Sequence, residues 1–484
     1  MTAASLDDLE PQLVWSHFLA LTRIPRPPKQ EEAARAHVLA WAEAHRFPST
    51  VDDAGNVVVR VPASGAREPA PTVVLQSHLD MVCERDPESP FDPREGRIGV
   101  VRAGDWVVAQ GTTLGADDGI GVAAAMAVAE DESIGHGPLE LLFTVSEEEG
   151  LEGAKALDPA LVSGRRLLNL DGEEEGITIG CAGSAHVFTR LRLDLEQIPA
   201  GHVALRVDLS GARGGHSGGD IAAGRINANK ALGRVLSSMG ERGAVRLASL
   251  AGGVSRNAIP REASAVVVLP ANAESPLRET GEAELEHVRE RFRDSDPGLS
   301  LSFERVPECP VASEETTARA LDLLVATPSG VIAMDPALPG TVETSTSVNV
   351  VTTDDGVLTL ASMARSANAE ALEDVVAFHQ ALARLARADI ELRRSYAPWR
   401  PVRESRLLEV ASDTFQRVLG GEPRLAVVHG GLECAVIGER LPGIEMISIG
   451  PEIQGPHAPG ERLSISSTAR FYRLLGALLD DLSR

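Results

Sequence analysis

Hydrophobic positions in the first third of the chain come in two alternating textures. Short apolar runs at residues 56–61, 72–75, 139–145 and 167–170 are rich in Val and Leu and end in polar or turn-forming residues, the pattern of buried strands. Between them, Ala- and Glu-rich stretches at 31–45 and 119–130 have helical character. The second is opened by Asp117 and Asp118, and acidic residues suit a helix N-terminus. Residues 84–111 read as a polar excursion bearing Pro and Gly. Strands alternating with helices predict an α/β fold. The texture changes near residue 190. From there to about 390, strands are predicted at 203–209, 265–269, 299–303 and 357–363, and helices at 226–239, 282–293 and 318–326, an α+β arrangement. A Pro-rich return at 396–401 leads to a helix at 405–419, a short strand at 426–428 and a last helix at 467–482. The predicted organisation is one α/β domain in two parts, residues 1–188 and 395–484, interrupted by an α+β domain, residues 189–394.

Chemistry-bearing side chains gather where the predicted strands end. His78 and Asp80 follow the apolar run 71–75. Residues two apart on a strand share a side, so an imidazole and a carboxylate project together from a place where α/β enzymes build sites. Asp117 stands at a helix start, Glu147 and Glu148 close run 139–145, Asp171 closes run 167–170, and His457 lies in a loop after Pro456. Singly, each has a plainer reading. Asp117 reads as a helix cap, the acidic runs as solvated turns, and His457 as a surface histidine. Jointly, hard and borderline ligands at successive strand ends suit a hydrolytic metal site of mixed His and carboxylate. A two-metal site needs a bridging carboxylate, terminal ligands and one carboxylate left over as base, and this inventory supplies them.

Composition narrows the setting. At 484 residues the chain exceeds one ordinary domain, and 43% hydrophobic content is that of a globular protein. Aromatics are only 3%, so the cores must be built from Ala, Val, Leu and Ile. The formal charge of −24, from 46 Lys and Arg against 70 Asp and Glu, argues against nucleic acid or an anionic membrane as partner. Four scattered cysteines without a Cys-x-x-Cys exclude a disulfide framework and a zinc ribbon. No basic-then-apolar leader opens the chain, and no apolar run approaches the ~18 residues of a membrane span. A soluble, cytoplasmic setting is expected.

The motifs, taken in order, carry a resemblance. They are Gln76-Ser-His-Leu-Asp-Met-Val82, Gly111-Thr-Thr-Leu-Gly-Ala-Asp-Asp-Gly-Ile-Gly121, Glu147-Glu-Glu-Gly-Leu151, Asn169-Leu-Asp171, Gly214-Gly-His-Ser-Gly-Gly-Asp220, Arg256-Asn-Ala-Ile-Pro-Arg261, His429-Gly-Gly-Leu-Glu433 and Gly450-Pro-Glu-Ile-Gln-Gly-Pro-His457. Together they resemble the aminoacyl-histidine dipeptidases, or cytosolic nonspecific dipeptidases, of the zinc aminopeptidase, carboxypeptidase and aminoacylase superfamily. The resemblance implies a zinc-peptidase-like catalytic domain, a mixed sheet flanked by helices, interrupted by an α+β lid. It implies a dipeptidase with two divalent ions, zinc foremost, with cobalt or manganese as alternatives, and a homodimer formed through the lid. One ion would be held by His78, Asp117 and Asp171, the other by Asp117, Glu148 and His457, with Asp117 bridging. Glu147 would be the general base and Asp80 would orient His78. His216 would polarise the scissile carbonyl. Asn257 and Arg365 are candidates for the substrate carboxylate, and His429 and Glu433 for substrate contact or support. Two positions depart from the family pattern: Asp118, usually Asn, and Ser146, often acidic.

Rival readings remain at this level. Gly215-His-Ser-Gly-Gly219 fits the Gly-x-Ser-x-Gly pattern, with Ser217 as nucleophile and His429 or His457 as base. A related metal-dependent deacylase or carboxypeptidase would use the same cluster on other substrates. A non-catalytic binding protein would need a missing ligand or base, and none is missing.

Overall fold

The computed structural model of the chain describes residues 6, 8–64 and 70–484. The chain divides into two compact units. The first comprises Met1–Cys181, Trp399–Val427 and Leu432–Arg484, and the second Ala182–Pro398 and Val428–Gly431.

The first unit is built on an eight-stranded mixed sheet. Its spatial order is Ser49–Val51, Val57–Val61, Leu139–Thr144, Val73–His78, Arg166–Asn169, Glu445–Ser448, Ile177–Cys181 and Leu425–Val428. The four strands 139–144, 73–78, 166–169 and 445–448 run parallel. Their carboxyl ends therefore open on one edge, with His78 in register with Thr144 and Gln76 with Asn169. Strands Val73–His78 and Leu139–Thr144 are buried at every position, as parallel strands covered on both faces must be. The first runs on through Gln76, Ser77 and His78, past the end of the apolar run at Leu75. Gln76 is satisfied there, its side-chain N–H donating to Glu433 at 2.6 Å and its oxygen accepting from Asn169 at 2.7 Å.

Helix Ala116–Glu130 lies against strand 73–78 and is mostly Ala, Gly and Val along its buried length. Small residues let it approach closely. At Gly121 a Cβ would run into the Asp118 carboxylate and stand 2.8 Å from Ser77 Oγ. The excursion 84–111 is more ordered than its composition suggests. It holds the hairpin Val100–Ala103 and Trp106–Ala109, which completes a four-stranded sheet with Arg462–Ser464 and Ile453–Gln454. The loop joining these last two strands carries His457.

The second unit is a nine-stranded antiparallel sheet in the order Ser300–Val306, His202–Ser210, Ala263–Pro270, Arg246–Gly252, Val342–Asp354, Val357–Ser366, Gly183–Arg192 and Asp389–Tyr396, with Gly330–Met334 also paired on Val342–Asp354. Leu205, Val207, Leu232, Val235, Leu236 and Leu285 sit at the centre of its core, where helices Ala228–Arg242 and Glu274–Phe292 pack. Strand Gly183–Arg192 belongs to this sheet, so the chain enters the second unit at residue 182.

Candidate metal centre

The carboxyl ends of the parallel strands deliver His78, Glu147, Glu148 and Asp171 to one place, and two loops bring Asp117 and His457 to join them. Asp117 lies at the centre. Its Oδ1 is 2.9 Å from His78 Nε2 and its Oδ2 is 2.9 Å from His457 Nε2. His457 Nε2 is also 3.0 Å from Glu148 Oε2, and His78 Nε2 is 3.6 Å from Asp171 Oδ1. Ligand-bearing atoms fall within 4.8 Å of one another in three sets: His78, Asp118 and Asp171; His78, Glu147 and Glu148; Asp117, Glu148 and His457.

Asp117 does not cap the helix. It adopts φ −79° and ψ 111°, outside helical values, and the peptide joining it to Asp118 is cis. The capping is done by Asp118, whose Oδ1 accepts from Gly121 N at 3.2 Å while Oδ2 accepts from His78 N at 3.1 Å. With both oxygens engaged by backbone donors, Asp118 serves the local chain and leaves Asp117 to face the histidines.

Asp80 stands 3.5 Å from His78 Nδ1, and its shorter bonds go elsewhere. Oδ1 accepts from Glu147 N at 3.0 Å and Oδ2 from Glu148 N at 3.1 Å. One carboxylate thus steadies the histidine and fixes the backbone of both glutamates. Glu31, buried at the entrance to helix Glu32–His45, does the same for the preceding residue, accepting from Ser146 N at 2.8 Å and Ser146 Oγ at 2.9 Å. Ser146 has a φ of 51°, and these bonds hold it in that left-handed turn.

The electrostatics are those of crowded negative charge. Burial raises Asp171 well above its ordinary range, and Asp118 and Asp117 add repulsion. Glu147 is raised likewise, by burial and then by Glu148 and Asp171 against the pull of His78. Asp117 and Asp80 go the other way. Burial works against the charge of Asp117, but the bonds from His457 and His78 hold it below the usual carboxylate range. His457 is pushed up to about 11, because hydrogen bonds to Asp117 and Glu148 outweigh its burial. Glu148 Oε1 is buried without a hydrogen-bond partner, while His78 turns Nε2 to Asp117 and Asp171 and Nδ1 to Asp80. A set of imidazoles and carboxylates with surplus negative charge and an orphaned carboxylate oxygen fits divalent cations, so the residues present suit the implied metals.

Glu433 is fully buried. Its Oε2 accepts from Gln76 Nε2 at 2.6 Å and Thr144 Oγ1 at 2.5 Å, which makes it support beneath the strand ends. The other candidates lie in the second unit. His216 Nδ1 accepts from Gly219 N at 3.0 Å, and His216 N donates to Asp220 at 2.8 Å. A methyl group at Gly218 would stand 3.1 Å from His216 Cε1 and 3.3 Å from Arg365 Nε, so these two share a corner with His429, whose carbonyl flanks the same glycine. The Arg365 guanidinium is buried, and among the described residues no carboxylate pairs with it. Asn257 accepts through its main-chain carbonyl from Ser217 N at 2.7 Å, and its side-chain Oδ1 accepts from Ser255 Oγ at 2.6 Å. His429 Nε2 is 2.7 Å from Ser345 Oγ, and burial pushes its imidazole down to about 4. Ser217 Oγ has no hydrogen-bond partner, so the Gly-x-Ser-x-Gly segment lacks the nucleophile-to-base bond a serine hydrolase requires.

Histidines and carboxylates converging at the ends of parallel strands, with a glutamate beside them, define a metal-dependent hydrolase. The comparisons agree. The model for peptidase family M20/M25/M40 matches residues 74–481. The cytosol non-specific dipeptidase of Escherichia coli is 38% identical over 484 residues, covering 99% of each chain. The crystal structure of the aminoacylhistidine dipeptidase from Vibrio alginolyticus superposes with a TM-score of 0.86 at 36% identity, covering 99% of this chain and 98% of that one. An aminopeptidase from Bacillus cereus, 17% identical with a TM-score of 0.57 over 98% of this chain and all of its own, shares the fold. The chain belongs to peptidase family M20/M25/M40.

Sequence reasoning passed over Arg26, Glu31 and Glu461, all buried beside the site. Their one sequence signal is a charge in a turn-rich setting: Arg26 between two prolines, Glu461 four residues after His457.

Proposed function

We propose that this chain is a dipeptidase using two divalent ions, hydrolysing the peptide bond of dipeptides with free termini, of Xaa-His type or of broad specificity. The observation that carries it is Asp117, whose two oxygens each meet a different histidine while Glu147 stands within reach of both His78 and Glu148. His78, Asp117 and Asp171 would hold one ion and Asp117, Glu148 and His457 the other, with zinc favoured over cobalt or manganese. When bound, such ions polarise the scissile carbonyl and bring the pKa of water from ~15.7 towards ~7. Glu147 takes the attacking water's proton and hands it to the leaving amine. Asp80 keeps Glu147 and Glu148 in place through their amides.

In the second unit, the Gly219 N–H bonded to His216 Nδ1 puts the proton of the neutral ring on Nε2, the tautomer a carbonyl-polarising donor needs. The buried guanidinium of Arg365, lacking a carboxylate of its own, suits the substrate's terminal carboxylate, with Asn257 beside it. The same proposal places the protein in the cytoplasm and assembles it as a homodimer through the second unit acting as a lid. The name of the E. coli relative supports the location. Among the described residues no helix is long and apolar enough to cross a membrane. Exposed Val331, Ile332 and Met334 on one strand of the second unit support the assembly, which sedimentation measures.

The test is a panel of dipeptides, including Xaa-His, run beside the same peptides with blocked amino or carboxyl termini. Cleavage of the free dipeptides, lost with a chelator and restored by zinc, cobalt or manganese, is expected. Preference for N-acylated amino acids or for longer peptides would replace the dipeptidase reading with a deacylase or carboxypeptidase.

A further inference from the structure

Arg26 and Glu461 are buried at 1% and 2% exposure, yet both direct their side chains at backbone groups. Arg26 Nη1 donates to Leu79 O at 3.0 Å and Asp80 O at 2.7 Å, and Nη2 donates to Gly115 O at 2.5 Å. Glu461 Oε2 accepts from Leu114 N at 2.7 Å and Gly115 N at 3.1 Å, while Oε1 accepts from Ala116 N at 2.8 Å and, more weakly, from Asp117 N at 3.4 Å. Gly115 is therefore gripped from both sides, its N–H by a carboxylate and its C=O by a guanidinium. Main-chain bonds extend the clamp: Met81 N donates to Arg26 O, and Gly460 N to Thr112 O, each at 3.0 Å. A buried charge is costly unless its hydrogen bonds are made, and a neutral side chain would tie a loop more cheaply. The three segments tied together carry His78, Asp117 and His457.

We propose that Arg26 and Glu461 are positioning residues for the metal centre, holding the 114–117 loop so that Asp117 stands between the two histidines and both ions bind tightly. The inference rests on the two-metal reading of the site. Groups that orient metal ligands are typically worth a factor of roughly 10–100 in metal affinity. A Gln at position 461 offers one oxygen where four amides converge and turns an NH₂ group on the rest. A Lys at position 26 keeps the charge but loses the planar fork that reaches carbonyls on two loops.

The experiment is a cobalt titration of the metal-free protein, followed by d–d absorption and equilibrium dialysis, on the parent, Glu461→Gln, Arg26→Lys and a control, Glu140→Gln. Glu140 is equally buried, bonded to Ser163 N at 2.9 Å and Gly164 N at 3.0 Å, near the opposite end of strand Leu139–Thr144. The expected result is two ions per parent chain. Glu461→Gln and Arg26→Lys should bind at least one ion roughly tenfold or more weakly, with altered cobalt bands and a lowered kcat at little-changed KM. Glu140→Gln should melt earlier with the parental isotherm and spectrum. Arg26→Lys carries the test should Glu461→Gln fail to fold. A folded Glu461→Gln or Arg26→Lys with the parental isotherm overturns the proposal, as does an equal loss of affinity in Glu140→Gln. A parent that binds no ion overturns the two-metal reading itself.

Discussion

Asp80 shows how much one carboxylate can hold. Its bonds to the Glu147 and Glu148 amides join the segment after His78 to the turn bearing Glu147, the proposed base. Asp80→Ala is therefore expected to retain ions more weakly and lose much of the rate. His78→Ala should lose an ion outright, and metal analysis of the two purified variants separates the cases. Glu147→Gln should keep the parental metal content while kcat falls by roughly 10²–10⁴ in a steady-state assay. At this scale the sequence was legible where spacing is local. His78 and Asp80 are two apart, and the structure sets the two side chains 3.5 Å from each other, although the strand ends at His78 and Asp80 lies just past it. The bond from Asp80 to Glu147 spans 67 positions, and those of Glu461 to the 114–117 loop about 345, so no local pattern announces them.

Packing of whole elements sets two further expectations. Helix Ala116–Glu130 approaches strand Val73–His78 through Gly121. Gly121→Ala should displace Asp118 from its two backbone bonds and disturb His78, lowering both Tm and metal affinity. In the second unit, His379 on helix Ala369–Leu385 is buried with Nε2 3.1 Å from Thr346 Oγ1, and burial, then Lys230, pushes its imidazole down to about 4. At neutral pH this histidine is uncharged whether folded or unfolded. As pH falls below 6.5 the unfolded chain takes up the proton and the folded one does not, so stability drops until about pH 4, by roughly 3 kcal/mol. Melts across that window should show a shallower decline for His379→Gln, which keeps a partner for Thr346. Elements with apolar runs were the readable ones. Strand Val342–Asp354 was not, because its sequence Val-Glu-Thr-Ser-Thr-Ser-Val-Asn-Val-Val-Thr-Thr-Asp has too few apolar positions to stand out. Helix Glu274–Phe292 begins earlier than 282, its first turns, with Pro276, lacking the apolar spacing that marked the rest.

Across the molecule, a charge of −24 with carboxylates concentrated at one site makes stability depend on bound cations. An ion present at a hundredfold over its Kd adds about 2.7 kcal/mol to the folded state. Chelation should thus lower Tm as well as abolish turnover, and both should recover together on adding zinc, as scanning fluorimetry in parallel with the assay will show. The division of the chain bears on a different matter, that of taking the protein apart. Four residues from the C-terminal part, Val428–Gly431, belong with the second unit, where Val428 O accepts from Ala182 N at 2.9 Å and His429 meets Ser345. Joining Cys181 directly to Trp399 would leave that tetrapeptide stranded, its strand partner and hydroxyl gone. Nor would residues 182–398 expressed alone be whole, since they would lack the histidine that Ser345 holds. A cut between residues 181 and 182 and between 398 and 399 therefore separates neither unit whole.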